Sequence, residues 1–286
     1  TISNVRIRNT SSTVRSLSTG IKILNLREVT VSQDSLSGCS TAIDIQNENP
    51  QLVNRPTISN IRIRNTGNTV RTQTTGIKLD GNLLLRIDDV DIEDYSNGIS
   101  LIGTNNSLLT TPSTISNIRV RNTGNTVRET GIGIYIRDFP RITVINDSIF
   151  GYNEGIKLHN SNPALANKPT LSNIRIRNTG NTVRNSGTGI SLMPGIFALV
   201  TDCLVQDYAL GIRVLGTEAD IRENRLVDND LAIHLEQAAP QSRVEYNEII
   251  RTIWNDLNPA TAISTDRCQD SKLYNNTIYN YSNALA

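Results

Sequence analysis

The sequence repeats itself with a period of about 56 residues, and this repetition restricts the possible folds more than any other feature. A segment that reads TISNIRIRNTGNTVR begins at Thr57, and close copies begin at Thr1, Thr114 and Thr170, so the copies are 56, 57 and 56 residues apart. Repeats of this length are typical of solenoids, in which each unit buries its apolar face only by stacking on its neighbours. The sequence therefore predicts a stacked architecture.

A shorter period lies inside the first. A small residue followed by an aliphatic one recurs from Gly20-Ile21 to Ala284-Leu285, and the common step between these pairs is 21 or 22 residues. Apolar and polar residues alternate around each pair, as in GIKLD at Gly76, which predicts short strands with one buried face. β-branched residues dominate these segments, and Gly, Asn, Asp and Pro separate them. We therefore expect strands arranged in coils, with two coils in each 56-residue repeat.

Three late segments carry a further pattern. Asn224, Asn247 and Asn276 each stand two residues before an aliphatic residue, at matching points of successive coils. Together with the small-aliphatic pairs, these segments make the chain resemble the right-handed parallel β-helix superfamily, the pectate-lyase-like solenoids. The resemblance implies that the three asparagines form an internal ladder of hydrogen-bonded amides. It implies little about function, because this fold hosts lyases, hydrolases, adhesins and fibres.

The predicted fold is an all-β, right-handed parallel β-helix solenoid of about eleven coils, forming a single domain over residues 1–286. Residues 1–225 are expected to hold four two-coil repeats, and residues 226–286 are expected to hold divergent C-terminal coils. In each repeat the longer coil contains an insertion around NTGNTVR, which we expect to be a surface loop. Because the chain begins inside a repeat and without Met, we expect a processed or excised piece, and the missing signal peptide is uninformative about compartment.

Arginines occupy the outward positions of the most faithfully copied strand. In NIRIRN the aliphatic residues are expected to face inward, so the arginines beside them face outward and recur on every second coil, about every 9.6 Å. Guanidinium groups at this spacing suit an extended anionic polymer or a row of carboxylates. Outward arginines also discourage unwanted strand pairing and cover apolar neighbours, so a purely structural role stays open. We call the following residues the arginine stripe: Arg6, Arg8, Arg62, Arg64, Arg119, Arg121, Arg175 and Arg177.

The coils between the stripe arginines decide how much of this charge is neutralised. At the equivalent outward sites they carry, in order, Ser35 and Ser37, Asp91 and Glu93, Ser148 and Phe150, and Leu204 and Gln206. A further arginine is expected to end each surface loop: Arg15, Arg71, Arg128 and Arg184. Only the second repeat supplies acids, so most of the stripe is predicted to remain basic.

The densest acidic cluster is RIDDVDIEDY, from Arg86 to Tyr95. In polysaccharide-cleaving β-helices outward carboxylates perform the chemistry, at times with calcium, so Asp89, Asp91 and Glu93, expected to share one face, are weak catalytic candidates. Arginines on the neighbouring coils would hold these carboxylates as anions, which is unsuitable for a general acid, and calcium would compete with the same cations. We therefore expect an ion-pair patch between coils and assign no catalytic residue.

The charge and composition of the chain argue against nucleic-acid binding, a membrane span and a metal site. The net charge is +1, but residues 1–199 hold 21 Lys and Arg against 14 Asp and Glu, whereas residues 200–286 hold 7 against 13. A nearly neutral chain without interleaved aromatic and basic residues is not expected to bind nucleic acid. No apolar run approaches the roughly 18 residues of a membrane span. The three cysteines and two histidines lack metal-ligand spacing, so no metal and no cofactor are expected.

These features favour a non-enzymatic, extracellular or cell-surface β-solenoid with a structural or adhesive role. Unlike charges on the two segments and open strand edges at the ends of a solenoid suggest head-to-tail self-association into fibres. The alternative is a polysaccharide-active β-helix, either a lyase or hydrolase of acidic glycans or a non-catalytic binder of an anionic polysaccharide. The recurring threonines are expected in loops on alternate coils, which argues against a flat ice-binding array.

Overall fold

A computed structural model of the protein describes residues 1–8, 18–49, 53–65, 74–104, 111–123, 131–161, 167–178, 187–237, 241–252, 260–268 and 270–286. Within these ranges the regular secondary structure consists of β-strands, and the strands pair in parallel in two sheets of 19 and 11 strands. The predicted all-β class is confirmed. The same residues include no helix with the length and apolarity that a membrane crossing requires.

Each coil of the chain contributes one strand to the eleven-stranded sheet, in keeping with the predicted number of about eleven coils. We number the coils 1 to 11 by the order of these strands in the chain. Its strands are Thr19–Leu24, Thr41–Asn47, Thr75–Gly81, Asn97–Ile102, Ile132–Arg137, Glu154–His159, Thr188–Leu192, Leu210–Leu215, Leu231–Glu236, Thr261–Asp266 and Asn283–Leu285. The other sheet comprises Ile2–Ser3, Arg6–Arg8, Glu28–Ser32, Ser35–Ser37, Arg55–Arg64, Arg86–Glu93, Ser113–Arg121, Ile142–Ile145, Ser148–Phe150, Thr170–Ser172, Arg175–Arg177, Ala198–Thr201, Leu204–Gln206, Ala219–Arg222, Arg225–Val227, Arg243–Glu245, Glu248–Ile250, Lys272–Tyr274 and Thr277–Tyr279.

The larger sheet bends at one residue in every coil, which we call the first corner. Corner residues have a left-handed backbone, with φ of 55° at Asn60 and 56° at Asn117. Asparagine and aspartate tolerate this conformation better than most residues, which explains the Asn that follows TIS in the first three repeats and TLS in the fourth. The eleven corner residues are Asn4, Gln33, Asn60, Asp89, Asn117, Asn146, Asn173, Asp202, Glu223, Tyr246 and Asn275. In each coil, the strand segment before the corner belongs to one face of the solenoid, which we call the serine/threonine face. The strand segment after the corner belongs to a second face, which we call the arginine face.

Aliphatic side chains fill the space inside the coils. Ile58 before the corner and Ile63 after it are both 0 % exposed, because alternate residues of each strand point inward. The small residues of the sequence pattern lie where successive coils approach most closely: a Cβ on Gly76 would be 2.6 Å from the carbonyl oxygen of Gly98 on the next coil. In each small-aliphatic pair, the small residue therefore allows adjacent coils to approach closely, and the aliphatic residue after it packs in the core.

The asparagine ladder implied by the resemblance is present. Asn224 Oδ1 accepts a hydrogen bond from the backbone N–H of Cys203 at 3.0 Å, and Asn247 Oδ1 accepts one from the N–H of Asn224 at 3.0 Å. Asn276 makes the same contact with the N–H of Asn247, also at 3.0 Å. Each amide lies directly after the first corner, so the ladder satisfies backbone groups that the bend removes from the sheet.

The prediction placed the recurring threonines in loops on alternate coils, and the threonines that begin TIS or TLS contradict it, whereas those of the NTGNTVR insertion, such as Thr69 and Thr182, lie outside the described residues. Thr57, Thr114 and Thr170 lie on strands, and the intervening coils add Thr30 and Thr143 in register with them. The prediction was wrong because the strand begins before the corner, so TIS belongs to the sheet. Coil 4 interrupts the row of hydroxyls with Arg86 and Asp88.

Candidate functional site

The arginine stripe forms two columns on the arginine face. Strand register places Arg62 between Ser35 of coil 2 and Asp91 of coil 4, and the same pairing continues along the stack. The first column reads Arg6, Ser35, Arg62, Asp91, Arg119, Ser148, Arg175, Leu204, Arg225, Glu248 and Thr277. The second reads Arg8, Ser37, Arg64, Glu93, Arg121, Phe150, Arg177, Gln206, Val227, Ile250 and Tyr279. The alternation that the sequence predicted for these positions is therefore confirmed.

The exposure of the stripe follows from the pleat of the strand. Ile63 is buried, whereas 62 % of the Arg62 side chain and 46 % of the Arg64 side chain are exposed. Successive residues of a strand point to opposite faces, so the apolar residue that fills the core fixes the direction of the arginines beside it. The guanidinium groups are thus presented to solvent by a hydrogen-bonded sheet.

Coil 4 neutralises the middle of the stripe. Asp91 Oδ2 lies 3.9 Å from Arg62 Nε and 3.4 Å from an Arg121 guanidinium nitrogen. Glu93 Oε2 lies 3.1 Å from Arg64 Nε and 3.7 Å from Arg121. The ion-pair patch predicted between coils is present. Exposed pairs of this kind are worth roughly 0.2–1 kcal/mol each, so their chief consequence is the local charge.

The rest of the stripe is paired only in part. Arg177 Nε lies 3.5 Å from Asp207 Oδ2. Within the ranges that the structure describes, four stripe arginines have no carboxylate at ion-pair distance: Arg6, Arg8, Arg119 and Arg175. Coil 4 therefore separates a first basic segment on coils 1 to 3 from a second basic segment on coils 5 to 7. The predicted loop arginines, Arg15, Arg71, Arg128 and Arg184, and their loops lie outside the described residues.

The three weak catalytic candidates do not share one face, which corrects the prediction. Asp89 is the first-corner residue of coil 4, with φ of 53°, whereas Asp91 and Glu93 point outward from the strand after the corner. The two-residue alternation fails at Asp89 because the corner interrupts the strand period. Asp89 and Asp91 do line one shallow depression of about 500 Å³, together with Asn60 and Arg62.

Hydrogen bonds also hold the neighbouring carboxylate of Asp88 in its charged form. Asn117 Nδ2 and Ser116 Oγ donate to Asp88 Oδ1 at 2.9 and 2.8 Å, and these two bonds are the main reason that the pKa of Asp88 is lowered. A carboxylate stabilised as the anion suits a structural contact better than proton donation. Across the described ranges, no group of three His, Cys, Asp or Glu side chains is arranged to hold a metal ion.

The sequence analysis missed Arg225, which continues the first column into coil 9. Its Nε lies 3.0 Å from Glu248 Oε2 of coil 10, and its strand pairs with that of Leu204. Arg225 directly follows Asn224, the residue after the first corner, just as Arg62 follows Ile61. The position after the corner was a usable signal, but coil 9 lacks the NIRIRN motif that marks the stripe in the repeats.

Comparison with known proteins assigns the fold and little else. A family model described as a right handed beta helix region matches residues 1–174 and, in a second match, residues 167–285. No curated protein and no solved structure matches the chain. The two family matches together span nearly the whole sequence, including the stripe and the asparagine ladder.

Proposed function

The chain belongs to the right-handed β-helix family, and from that premise we propose that it is a non-enzymatic, extracellular or cell-surface scaffold whose arginine stripe adheres to an anionic polysaccharide. One observation carries this proposal: four arginines project from rigid strands without a carboxylate partner among the described residues, namely Arg6, Arg8, Arg119 and Arg175. These four arginines lie on coils 1, 5 and 7, on both sides of the acids of coil 4, where their charge is available to an anionic ligand.

The spacing of the stripe supports an extended polymer as its ligand. Arg119 and Arg175 each pair with the strand of Ser148, so they are two strand spacings apart, about 9.6 Å. Guanidinium groups form charge-assisted, often bidentate hydrogen bonds with anionic groups such as carboxylates. A linear polyanion lying along the stack would thus meet several arginines at once.

The pairing in coil 4 supports a non-enzymatic role. Asp91 contacts Arg62 and Arg121, and Glu93 contacts Arg64 and Arg121. Both carboxylates are thus occupied by ion pairs with arginines of the neighbouring coils, which favours a structural role. The acids instead limit where a polyanion can bind.

The test compares two double variants with equal changes of charge. Arg119→Gln with Arg175→Gln should weaken polygalacturonate binding by about tenfold or more, because two charge-assisted hydrogen bonds are lost. Lys22→Gln with Lys78→Gln removes the same charge from the eleven-stranded sheet and should leave affinity nearly unchanged. Isothermal titration at several salt concentrations provides the measurement. Equal losses in both double variants would refute recognition by the stripe.

The depression beside Asp89 favours one alternative, a polysaccharide-cleaving enzyme. It brings Asp89 and Asp91 together with Arg62, a set that a lyase of acidic glycans could use. Unsaturated or reducing-end products from polygalacturonate or alginate, formed with or without calcium and lost in Asp91→Asn, would establish this alternative. The scaffold proposal expects no product.

We also propose end-to-end association of these 286 residues. Residues 1–199 carry a net positive charge, whereas residues 200–286 carry a net negative charge. A positively charged end of one molecule and a negatively charged end of the next can make a head-to-tail contact, and such contacts need not close into a ring. Electron microscopy and light scattering at low salt should detect filaments that dissociate at high salt. A strict monomer at high protein concentration and low salt would exclude this assembly.

A further inference from the structure

The first corner of coil 6 is built differently from the corners that carry the asparagine ladder. Asp147 follows the corner residue in coil 6, where coil 9 has Asn224, and it is 3 % exposed. Asp147 Oδ1 accepts a hydrogen bond from the backbone N–H of Ile118 at 2.7 Å, the counterpart of the bond between Asn224 and Cys203. The aspartate thus reproduces one half of the ladder contact.

The other half of the ladder contact is missing at Asp147. Asn224 Nδ2 donates to the carbonyl oxygens of Val200 and Arg222, both at 2.9 Å. By the same register, the carbonyls of Ile115 and Ile145 occupy these places around Asp147. Its Oδ2 is buried and has no hydrogen-bond partner among the described residues. An ionised carboxylate can only accept hydrogen bonds, whereas a protonated carboxyl group has an O–H to donate to a carbonyl.

Burial makes the protonated form accessible near neutral pH. Desolvation raises the pKa of Asp147 to about 7, the N–H of Ile118 opposes this rise, and the negative charge of Asp88 on coil 4 adds to it. The nearest stripe cations in register are Arg119 on coil 5 and Arg175 on coil 7, and both point outward from the strand beyond the corner.

Asp147 lies directly behind the second basic segment. It precedes Ser148, which stands in register between Arg119 and Arg175, the two arginines of that segment without a carboxylate partner among the described residues. Coil 2 repeats the arrangement, with Asp34 Oδ1 accepting the N–H of Val5 at 2.6 Å beneath the first basic segment. Charges buried in the interior are screened less than surface charges, so an ionised Asp147 offsets the positive potential above it.

We propose that Asp147 is a proton-operated switch behind the second basic segment: uptake of a proton gives the corner a hydrogen bond and removes a negative charge, so coil stacking and anion binding both strengthen in mildly acidic solution. The binding half of this inference rests on the proposed function of the stripe, and the stability half does not. Linkage is reciprocal, so a bound polyanion would in turn favour the protonated carboxyl group.

The direction of the pH effect on stability follows from the two states of the chain. In the unfolded chain an aspartate has a pKa of about 3.9, so the folded protein binds the additional proton between that value and about 7. Stability should therefore rise as the pH falls through about 7, and should be lowest in alkaline solution.

The experiment compares wild type with Asp147→Asn, which supplies the amide that the ladder uses elsewhere. Thermal midpoints and affinity for dextran sulfate, whose sulfate esters stay ionised, are measured between pH about 8 and about 6, where the carboxyl group titrates. The wild-type midpoint should rise by several degrees and its affinity by about threefold or more as the pH falls. The variant should be more stable at the alkaline end, and its midpoint and affinity should be nearly independent of pH.

The outcomes separate the two halves of the inference. If Asp147→Asn keeps the pH dependence of the wild-type midpoint, Asp147 does not bind the proton and the inference fails. If that dependence disappears but both proteins gain affinity equally on acidification, the link to the stripe fails while the proposed function stands. Absence of dextran sulfate binding by the wild type at any pH would overturn the link and the proposed function together. Should Asp147→Asn not fold, Asp147→Val, which copies Val90 of coil 4, gives the same readouts.

Discussion

The eight coils of the repeats and the three coils that follow share one backbone path but differ inside the first corner. In coils 9 to 11 the residue after the corner is an asparagine, and amides run continuously along the stack. In coils 1 to 8 the same position is occupied by Val5, Asp34, Ile61, Val90, Ile118, Asp147, Ile174 and Cys203. The fold therefore needs a filled interior at this corner, and either apolar packing or a polar ladder can fill it.

The second corner, which follows the arginine face, differs less between the two regions. Tyr95, Tyr152 and Tyr208 are fully buried there, one in every second coil, and Tyr152 Oη donates to the carbonyl of Tyr95 at 3.0 Å. In coil 9 the equivalent Asn229 accepts the N–H of Tyr208 at 3.1 Å, which joins adjacent coils. Tyr281 of coil 11 lies at the same position and donates to the carbonyl of Asn229 at 2.9 Å, so a tyrosine connects coils two apart in both regions.

The largest effect is expected from a substitution in the column of buried tyrosines, Tyr95, Tyr152 and Tyr208. Tyr152→Ala should lower the free energy of unfolding by about 4 kcal/mol, because it leaves a ring-sized cavity between coils 4 and 6. Tyr152→Phe keeps the ring and loses only the bond to Tyr95, so it should cost about 1 kcal/mol. Urea unfolding measures both costs. Equal costs would mean that the hydroxyl, and not the volume of the ring, connects the repeats.

Much of this architecture could be predicted from the sequence, and the failures have physical causes. Alternation placed Ile63 inside and Arg62 and Arg64 outside because a strand has a two-residue period. That period stops at the first corner, so Asp89 and the strand segment before it were misplaced. The pairing of the stripe depends on contacts between residues about 30 apart in the chain. The predicted register identifies which residues are neighbours, but it does not give the side-chain distances that leave Arg119 without a carboxylate partner among the described residues.

A substitution that disrupts the asparagine ladder is expected to have an intermediate effect on stability. Asn247→Ala should cost roughly 2–3 kcal/mol, because the N–H of Asn224 and the carbonyl of Ile221 each lose a buried partner. Amide hydrogen exchange should accelerate in coils 9 to 11 and stay unchanged in coils 1 to 5, since each coil contacts only its neighbours. Asn283→Ala on an exposed strand is the matched control and should have little effect. Faster exchange throughout the chain would show that the two regions unfold together.

The smallest effect on stability is expected from removing the acid of an ion pair, and comparing one such pair in each region tests how their surfaces differ. Glu93 of coil 4 contacts both Arg64 and Arg121 and is 22 % exposed, whereas Glu248 of coil 10 contacts Arg225 and is 47 % exposed. Exposed pairs contribute about 0.2–1 kcal/mol, so Glu93→Gln should cost near the upper end of this range and Glu248→Gln near the lower end. Unfolding free energies at low and high salt measure both costs.

Salt should reduce the difference between the two variants, because screening weakens exposed charges first. Removing the charge of Glu93 should also strengthen polyanion binding, because it releases the guanidinium group of Arg64 and leaves Arg121 paired with Asp91 alone. Glu248→Gln releases Arg225 alone, beyond the stripe, and should change affinity less. A larger gain from Glu248→Gln than from Glu93→Gln would place the binding surface on the C-terminal coils and not on the repeats. The comparison therefore tests whether the acids of coil 4 limit the stripe, since stability and affinity should respond to Glu93→Gln in opposite directions.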